Sequence, residues 1–188
     1  MIPKNRLDSL TDGVFAVAMT LLVIDIKLPE TVHPRSAGEL IDALVGLGRP
    51  LMAYVLSFIV LGLRWLGLAR AAESAETASL SYARWTLVHL FLVTCVPFST
   101  MVVGRHGNLA PAVCIYAGIM LLAAAVALRL DSPAKRANGV TDPSWRTELI
   151  VVIAVSAMVM VLSFFLHAYA LLLYLLTIVP SAFRWSKR

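Results

Sequence analysis

The sequence has 188 residues, of which 60% are hydrophobic and only 14% are charged, and its mean hydropathy is +0.83. A soluble domain normally carries about a quarter charged residues, so the composition excludes that class and indicates an integral membrane protein. The net charge of +5 does not indicate nucleic-acid binding, because the basic residues form short clusters between apolar runs instead of a continuous basic stripe.

The first predicted transmembrane helix, residues 10–28, has charged residues at both ends. Arg6 and Asp12 precede its hydrophobic part, and Asp25 and Lys27 follow that part. Charged groups in a membrane-spanning segment are tolerated where they face protein or water. This helix is therefore predicted to line a pathway instead of facing lipid.

The remaining apolar runs predict five more spans, since a helix needs roughly 20 apolar residues to cross a bilayer. Three runs have the right length: residues 50–69, 85–104 and 109–128. The uncharged run 149–183 would make a helix of roughly 50 Å, so we predict two helices, 149–166 and 168–183, with a turn near residues 167–169. The expected fold is an all-α integral membrane protein with six transmembrane helices in one domain, residues 1–188.

The distribution of basic residues predicts the orientation. Six spans with the N-terminus inside place 12 of the 16 Lys and Arg residues on the cytoplasmic side, as the positive-inside rule requires. We therefore expect a multi-pass protein of the cell (inner) membrane with both termini in the cytoplasm. Residues 29–49 are predicted to form an outer loop, and residues 131–143, rich in turn formers, an exposed inner linker.

One stripe of the first helix carries aliphatic side chains and a hydroxyl at the helical spacing of about 100° per residue: Val17, Thr20, Leu21 and Ile24. Leu28 would extend this stripe by one turn. Around a symmetry axis such stripes form hydrophobic rings, which close a pore by dewetting. Ordinary packing in a helix bundle explains the same periodicity, and from periodicity alone it is the commoner cause.

The polar residues at the start of this helix favour a functional role. Arg6 and Asp12 are six residues apart, so they do not pair along one helix face. Each is expected to contact another helix or subunit, and the Thr11 hydroxyl can join them. The alternative is that the acidic side chains only stabilise the positive end of the helix dipole.

The segment that begins at Arg6 and runs through Asp12 to Ala16 resembles the opening helix of the bacterial transmembrane protein 175 potassium channels. That family starts with Arg-x-x-x-Phe-Ser-Asp-Gly-Val-Phe-Ala and continues with Thr-Leu-Leu and Asp-Ile-Lys-x-Pro, which occur here at Thr20 and Asp25. Further similar patches lie in the second and third spans: Ser57-Phe58, Trp65, Leu90-Phe91-Leu92 and Pro97-Phe98-Ser99-Thr100.

The resemblance implies a homotetrameric potassium channel in the lipid bilayer, with first helices lining a central pore and no carbonyl filter or cofactor. It assigns Val17, Leu21 and Ile24 to the constriction and Thr20 to selectivity. It also assigns three residues to a network that holds the pore helix: Arg6, Thr11 and Asp12. The chain departs from the family pattern at Leu10, Thr11 and the smaller Val17, and at Leu68, where the family often has His.

Two other functions remain open at this stage. An ion-coupled secondary transporter would use a polar site at Asp12 or His89, although a buried imidazole bonded to a neighbouring helix is the expectation for His89. The other alternative is a non-conducting membrane scaffold. Arg64 is expected to extend toward the inner membrane surface, as long basic side chains do.

The sequence gives no support to an enzyme or a metal site. It has no His-Glu-x-x-His motif, no phosphate-binding Gly loop and no Ser/His/Asp set. Cys95 and Cys114 lie inside apolar runs, and we interpret them as small buried hydrophobic residues instead of a disulfide or metal pair.

Overall fold

A computed structural model of the chain describes residues 2–71, 77–130 and 143–177. Helices dominate the described residues, and their bounds in chain order are α1 (Lys4–Ile24), α2 (Ala37–Gly46), α3 (Gly48–Ala71), α4 (Leu80–Thr94), α5 (Val96–His106), α6 (Ala110–Leu130), α7 (Pro143–Leu166) and a 3₁₀ helix (His167–Thr177). Two short strands, β1 (Ile2–Pro3) and β2 (Thr77–Ala78), pair antiparallel with Ile2 opposite Ala78.

Five helical stretches in this part of the chain are long and apolar enough to cross a membrane: Lys4–Ile24, Gly48–Ala69, Leu80–His106, Ala110–Leu130 and Trp145–Thr177, the last of which combines α7 with the 3₁₀ helix. The protein is therefore a mostly helical, multi-pass membrane protein, as the composition predicts. Most of the predicted linker, residues 131–142, and the end of the predicted last span, residues 178–183, lie outside the described residues.

The first helix begins and ends earlier than the predicted span 10–28. Lys4 Nζ and Asp8 Oδ2 form an ion pair 3.0 Å apart, one turn along the helix, so the charged residues before the apolar part belong to α1. Asp25 caps the other end, and its N–H donates to Val23 O. Leu28 consequently lies outside the helix and does not extend the aliphatic stripe.

The predicted outer loop contains α2, a helix that was not predicted from the sequence. Its N-cap is Ser36, whose Oγ accepts a hydrogen bond from Glu39 N. The Glu39 carboxylate in turn accepts from Arg35 N. This arrangement resembles a capping box, a Ser followed three residues later by Glu, which was the available sequence signal.

The third predicted span, residues 85–104, is interrupted. Cys95 separates α4 from α5, and its helical φ and ψ of −79° and −14° keep the two helices joined by a single residue. Pro97, in the first turn of α5, has no N–H to donate to the preceding turn. The proline therefore accounts for the interruption.

The chain reverses direction after Leu166. His167 has a positive φ of 51°, and the following segment is a 3₁₀ helix instead of the predicted α-helix. Ser156 Oγ and Tyr174 Oη are 2.9 Å apart although they are separated by 18 residues. An unbroken α-helix would hold them roughly 27 Å apart, so the 3₁₀ helix folds back along α7.

The core lies between α1, α3, α4 and α6, with the hairpin of α7 and the 3₁₀ helix packed on α6. Its largest fully buried side chains include Phe15, Leu61, Tyr116, Met120 and Tyr174. Helix α1 packs on α3, α4 and α5. It therefore sits at an edge of the bundle, and one side of it is left uncovered by the described residues.

A close approach at Gly67 joins α3 to α7. A Cβ atom at Gly67 would overlap the Trp145 ring, whereas one at Gly62 would meet nothing within 4 Å. Gly67 thus lets the indole lie directly on the α3 backbone.

Replacing Gly67 by Ala is expected to lower the free energy of unfolding by about 2 kcal/mol, because overpacking forces Trp145 to move. Gly62→Ala is the matched control on the same helix and is expected to be neutral or stabilising by up to about 1 kcal/mol through helix propensity. Reversible unfolding in detergent, followed by tryptophan fluorescence, measures both. Equal effects of the two substitutions would contradict this packing.

Candidate functional site

Helix α1 has a buried side and an exposed side. Phe15, Ala18 and Leu22 are at most 2% exposed and contribute to the central core. On the opposite side, Val17 is 57% exposed and Ile24 58%. The helix is therefore anchored by one face, and its other face is available to lipid or to further copies of the chain.

The residues predicted to form the constriction all lie on the exposed side. Leu21 is 43% exposed, and Thr20 is exposed between Val17 and Leu21. The four side chains lie next to one another along two turns of the exposed side, and the core-facing residues Ala18 and Leu22 are not among them. The structure therefore brings together the aliphatic stripe that the sequence predicts, as one continuous surface.

The Thr20 hydroxyl has a defined orientation on this surface. Thr20 Oγ1 donates a hydrogen bond to Val17 O, 2.9 Å away and one turn earlier. Because the proton is committed to the helix backbone, the oxygen lone pairs remain available as acceptors. An oxygen acceptor on an otherwise aliphatic stripe is a ligand type that hard cations prefer.

Asp12 fastens α1 to α3. Trp65 Nε1 donates a hydrogen bond of 2.8 Å to Asp12 Oδ1, which joins residues 53 positions apart in the sequence. The expectation that Asp12 contacts another helix is confirmed by this bond. Sequence reasoning identified Trp65 only as a matching residue and an interface anchor, and missed its role as the donor.

The other two network residues do not join Asp12 within one chain. Thr11 Oγ1 donates to Leu7 O in its own helix, so its hydroxyl is used locally. Arg6 is exposed, and its guanidinium contacts no hydrogen-bond or ion-pair partner in the described ranges. The involvement of Arg6 and Thr11 in a network thus stays a prediction.

The opposite end of α1 meets α5. Arg105 Nη2 lies 3.9 Å from Asp25 Oδ1, a partly exposed ion pair that sequence reasoning did not predict. A cavity of about 900 Å³ opens there, lined by charged side chains of both signs: Asp25, Lys27, Glu30, Arg49 and Arg105. Helix α1 therefore has polar contacts to neighbouring helices near its middle, at Asp12, and at its C-terminal end, at Asp25.

His89 lies in the core, where it is 1% exposed. Its Nδ1 is 3.1 Å from Ala123 O of α6, which confirms the expectation of a buried imidazole bonded to a neighbouring helix. Asp12, by contrast, is on the exposed side of the bundle. The two residues considered for the transporter alternative therefore lie in different surroundings, His89 in the core and Asp12 on the exposed side.

A second polar cluster links α3 to the helices α5 and α6. Ser57 Oγ is 2.8 Å from Thr100 Oγ1 and 3.0 Å from Tyr116 Oη, and all three groups are buried. This cluster ties α3 to α5 and α6, so the helix that holds Asp12 is itself fixed. Its residues Ser57 and Thr100 belong to the patches singled out in the sequence.

The described residues show no grouping of three or more His, Cys, Asp or Glu side chains that can hold a metal ion. Cys95 and Cys114 are both free thiols and half-buried. They do not form a disulfide. Cys114 Sγ instead lies 3.4 Å from Ser163 Oγ across the α6–α7 contact.

Comparison with known proteins gives consistent matches. The family profile described as endosomal/lysosomal potassium channel TMEM175 matches residues 6–97. A protein named potassium channel from Chamaesiphon minutus is 33% identical over 137 residues, 71% of this chain and 67% of that protein. A potassium channel from Streptomyces collinus is 32% identical over 106 residues, 56% of this chain and half of that protein.

Similarity extends to a solved structure. The crystal structure of a lysosomal potassium-selective channel TMEM175 homolog from Chamaesiphon minutus superposes with a TM-score of 0.81 at 27% identity, covering 95% of this chain and 96% of that chain. The human protein named endosomal/lysosomal proton channel TMEM175 is 38% identical over 69 residues, 34% of this chain but only 14% of that protein.

Proposed function

This chain belongs to the TMEM175 channel family, and from that premise we propose that it is a potassium-preferring channel that conducts passively. The observation that carries the proposal is the exposed face of α1, where Val17, Leu21 and Ile24 are each more than 40% exposed on an edge of the bundle. A pore lined by these residues requires several copies of the chain, and on the strength of the family resemblance we propose a homotetramer.

In the proposed assembly, each aliphatic residue of the exposed face forms one ring around the axis. Water and ions leave a narrow hydrophobic ring at little cost, so such a ring can block conduction until it widens. The Thr20 oxygens would form a polar ring between Val17 and Ile24. A partly dehydrated potassium ion can exchange water ligands for these oxygens as it crosses the constriction.

The polar contacts of α1 support this arrangement. The bond from Trp65 to Asp12 and the ion pair from Arg105 to Asp25 tie the middle and the C-terminal end of the helix to the rest of the subunit. These contacts position α1 against the other helices of its own subunit. We place the channel in the cell (inner) membrane with both termini in the cytoplasm, on the strength of the basic-residue distribution.

Potassium flux into proteoliposomes tests the proposal directly. Purified protein is expected to dissipate a potassium gradient in proportion to the electrochemical potential, without dependence on a proton or sodium gradient. Flux that saturates and requires a second ion would favour a transporter. A stable monomer without flux would favour the scaffold alternative, because one copy supplies only one pore helix.

Replacing Thr20 by Val is expected to reduce discrimination between potassium and sodium by roughly threefold to tenfold, because Val keeps the shape and removes the oxygen ligand. Thr94→Val is a matched control: Thr94 is exposed on α4, and its hydroxyl donates to Phe91 O in the same way. The measurement is the ratio of potassium to sodium flux. A change of similar size in both variants would exclude a specific role for Thr20.

A further inference from the structure

Arg64 is buried where the sequence predicted an extended, membrane-surface position. It is 4% exposed, and its Nε, Nη1 and Nη2 atoms have no hydrogen-bond partner within the described segments. The side chain is buried because it extends from α3 toward α7 and the end of the 3₁₀ helix, whose residues line the same cavity. A buried charge without compensation is strongly destabilising, so this guanidinium needs an acceptor close by.

A cavity of about 20 Å³ lies beside Arg64. Its lining comes from α3, from α7 and from the end of the 3₁₀ helix: Val60, Leu63, Arg64, Trp145, Glu148, Leu149, Val152 and Thr177. This volume holds about one water molecule, which is retained when it has two to four polar partners. Three of the lining residues supply such partners: Arg64, Glu148 and Thr177.

The chemistry of these three groups is complementary. Arg64 offers N–H donors, and the Glu148 carboxylate offers acceptors. Thr177 Oγ1 donates its own proton to Tyr174 O, which leaves the oxygen able to accept a further hydrogen bond. We propose that Arg64 and Glu148 form a water-bridged ion pair across this cavity. One cation and one anion line the cavity together, so a neutral water matches its charge better than a chloride ion does.

The proposed ion pair has a consequence for α1. Arg64 and Trp65 are neighbours on α3, and Trp65 donates to Asp12 of α1. The pair ties the same turn of α3 to α7. Arg64 and Glu148 are thus positioning residues that fix the α3 turn that holds the candidate pore helix. This consequence for conduction rests on the proposed function, whereas the ion pair itself does not.

A double-mutant cycle tests the ion pair in the full-length protein. Arg64→Met and Glu148→Gln are each expected to lower the thermal unfolding midpoint in detergent by roughly 5 °C. The double variant is expected to lose clearly less than the sum of the two single losses, because both substitutions break the same bridge. Arg84→Met, at an exposed arginine of α4, is the control and is expected to change the midpoint by about 1 °C or less.

The charge-reversed double variant, Arg64→Glu with Glu148→Arg, adds a rescue. In this variant, at least half of the decrease in unfolding midpoint and in potassium flux caused by the single substitutions is expected to be reversed. If Arg64 acted only by filling volume, reversing the two charges would not restore either quantity. If this variant does not fold, the double-mutant cycle still decides the question.

Three results would overturn the proposal. Additive losses in the double variant, or no loss in Glu148→Gln, would show that the two residues do not pair. The third result is a wild-type midpoint that falls when gluconate replaces chloride, with the fall abolished in Arg64→Met and unchanged in Glu148→Gln. That result would assign a small anion to Arg64. Absence of potassium flux from stable wild-type protein would instead overturn the channel function and leave the cycle intact.

Discussion

Replacing Ile24 by Ala is expected to raise potassium flux by roughly tenfold, since a decrease of about 1.4 kcal/mol in the barrier gives that factor. The substitution removes branched methyl groups from the side chain that is most exposed on the aliphatic stripe, at 58%. A wider and less apolar ring contains water for a larger fraction of the time, and ions cross only while it is hydrated. Selectivity for potassium over sodium is expected to fall with the same change. Initial flux rates in proteoliposomes measure both.

Val23→Ala provides the comparison for Ile24→Ala on the same helix. Val23 is also exposed, at 51%, but it lies roughly a quarter to a third of a turn away from the stripe. Its truncation is expected to change the flux by less than about twofold. Unchanged flux and selectivity in Ile24→Ala, or equal effects in both variants, would remove Ile24 from the constriction.

Replacing Asp12 by Ala is expected to reduce potassium flux by roughly tenfold. The substitution deletes the acceptor of the Trp65 hydrogen bond, and a hydrogen bond to a charged group contributes about 1.5–3 kcal/mol; we take the lower end because Asp12 is exposed. Without it, α1 loses its polar contact with α3 and the position of the aliphatic stripe is no longer fixed. Asp12→Asn keeps an oxygen acceptor and is expected to retain most of the flux.

The partner residue gives an independent check of the Asp12 bond. Trp65→Phe removes the donor and keeps most of the ring, so it is expected to reproduce the loss seen in Asp12→Ala, and the double variant is expected to add little. Asp42→Ala, at an exposed carboxylate of α2, serves as the control and should leave the flux unchanged. Additive losses in the double variant would contradict a direct contribution of this hydrogen bond.

Most of the helical architecture could be predicted from the sequence because long apolar runs specify spanning helices. Their bounds were less accurate where polar residues continue a helix, as in the first turns of α1. The short helix α2 was missed although Leu40, Ile41 and Leu44 recur at helical spacing and Ser36 and Glu39 form a recognisable cap, because its ten residues are too few to span a bilayer. The 3₁₀ conformation after His167 could not be predicted, since its residues are as apolar as those of an α-helix.

The candidate site was predictable in part. Periodicity alone placed Val17, Leu21 and Ile24 on one stripe, because it depends only on the geometry of a single helix. The bond between Asp12 and Trp65 joins residues 53 positions apart, and no local pattern predicts which distant residues meet. The burial of Arg64 was mispredicted for a related reason: hydropathy locates a residue along a helix but does not tell which neighbour covers it.

The most direct test of the account is cadmium block of cysteine variants in a background that lacks Cys95 and Cys114. If the exposed face of α1 lines a shared pore, Leu21→Cys and Ile24→Cys bring several thiolates close to one axis, where they bind cadmium tightly. Micromolar cadmium is then expected to abolish potassium flux in these two variants, with recovery on adding a chelator. Val161→Cys, exposed at 64% on α7, is expected to be insensitive. Insensitive flux in Leu21→Cys and Ile24→Cys, or equal block at Val161→Cys, would contradict the placement of α1 at the pore.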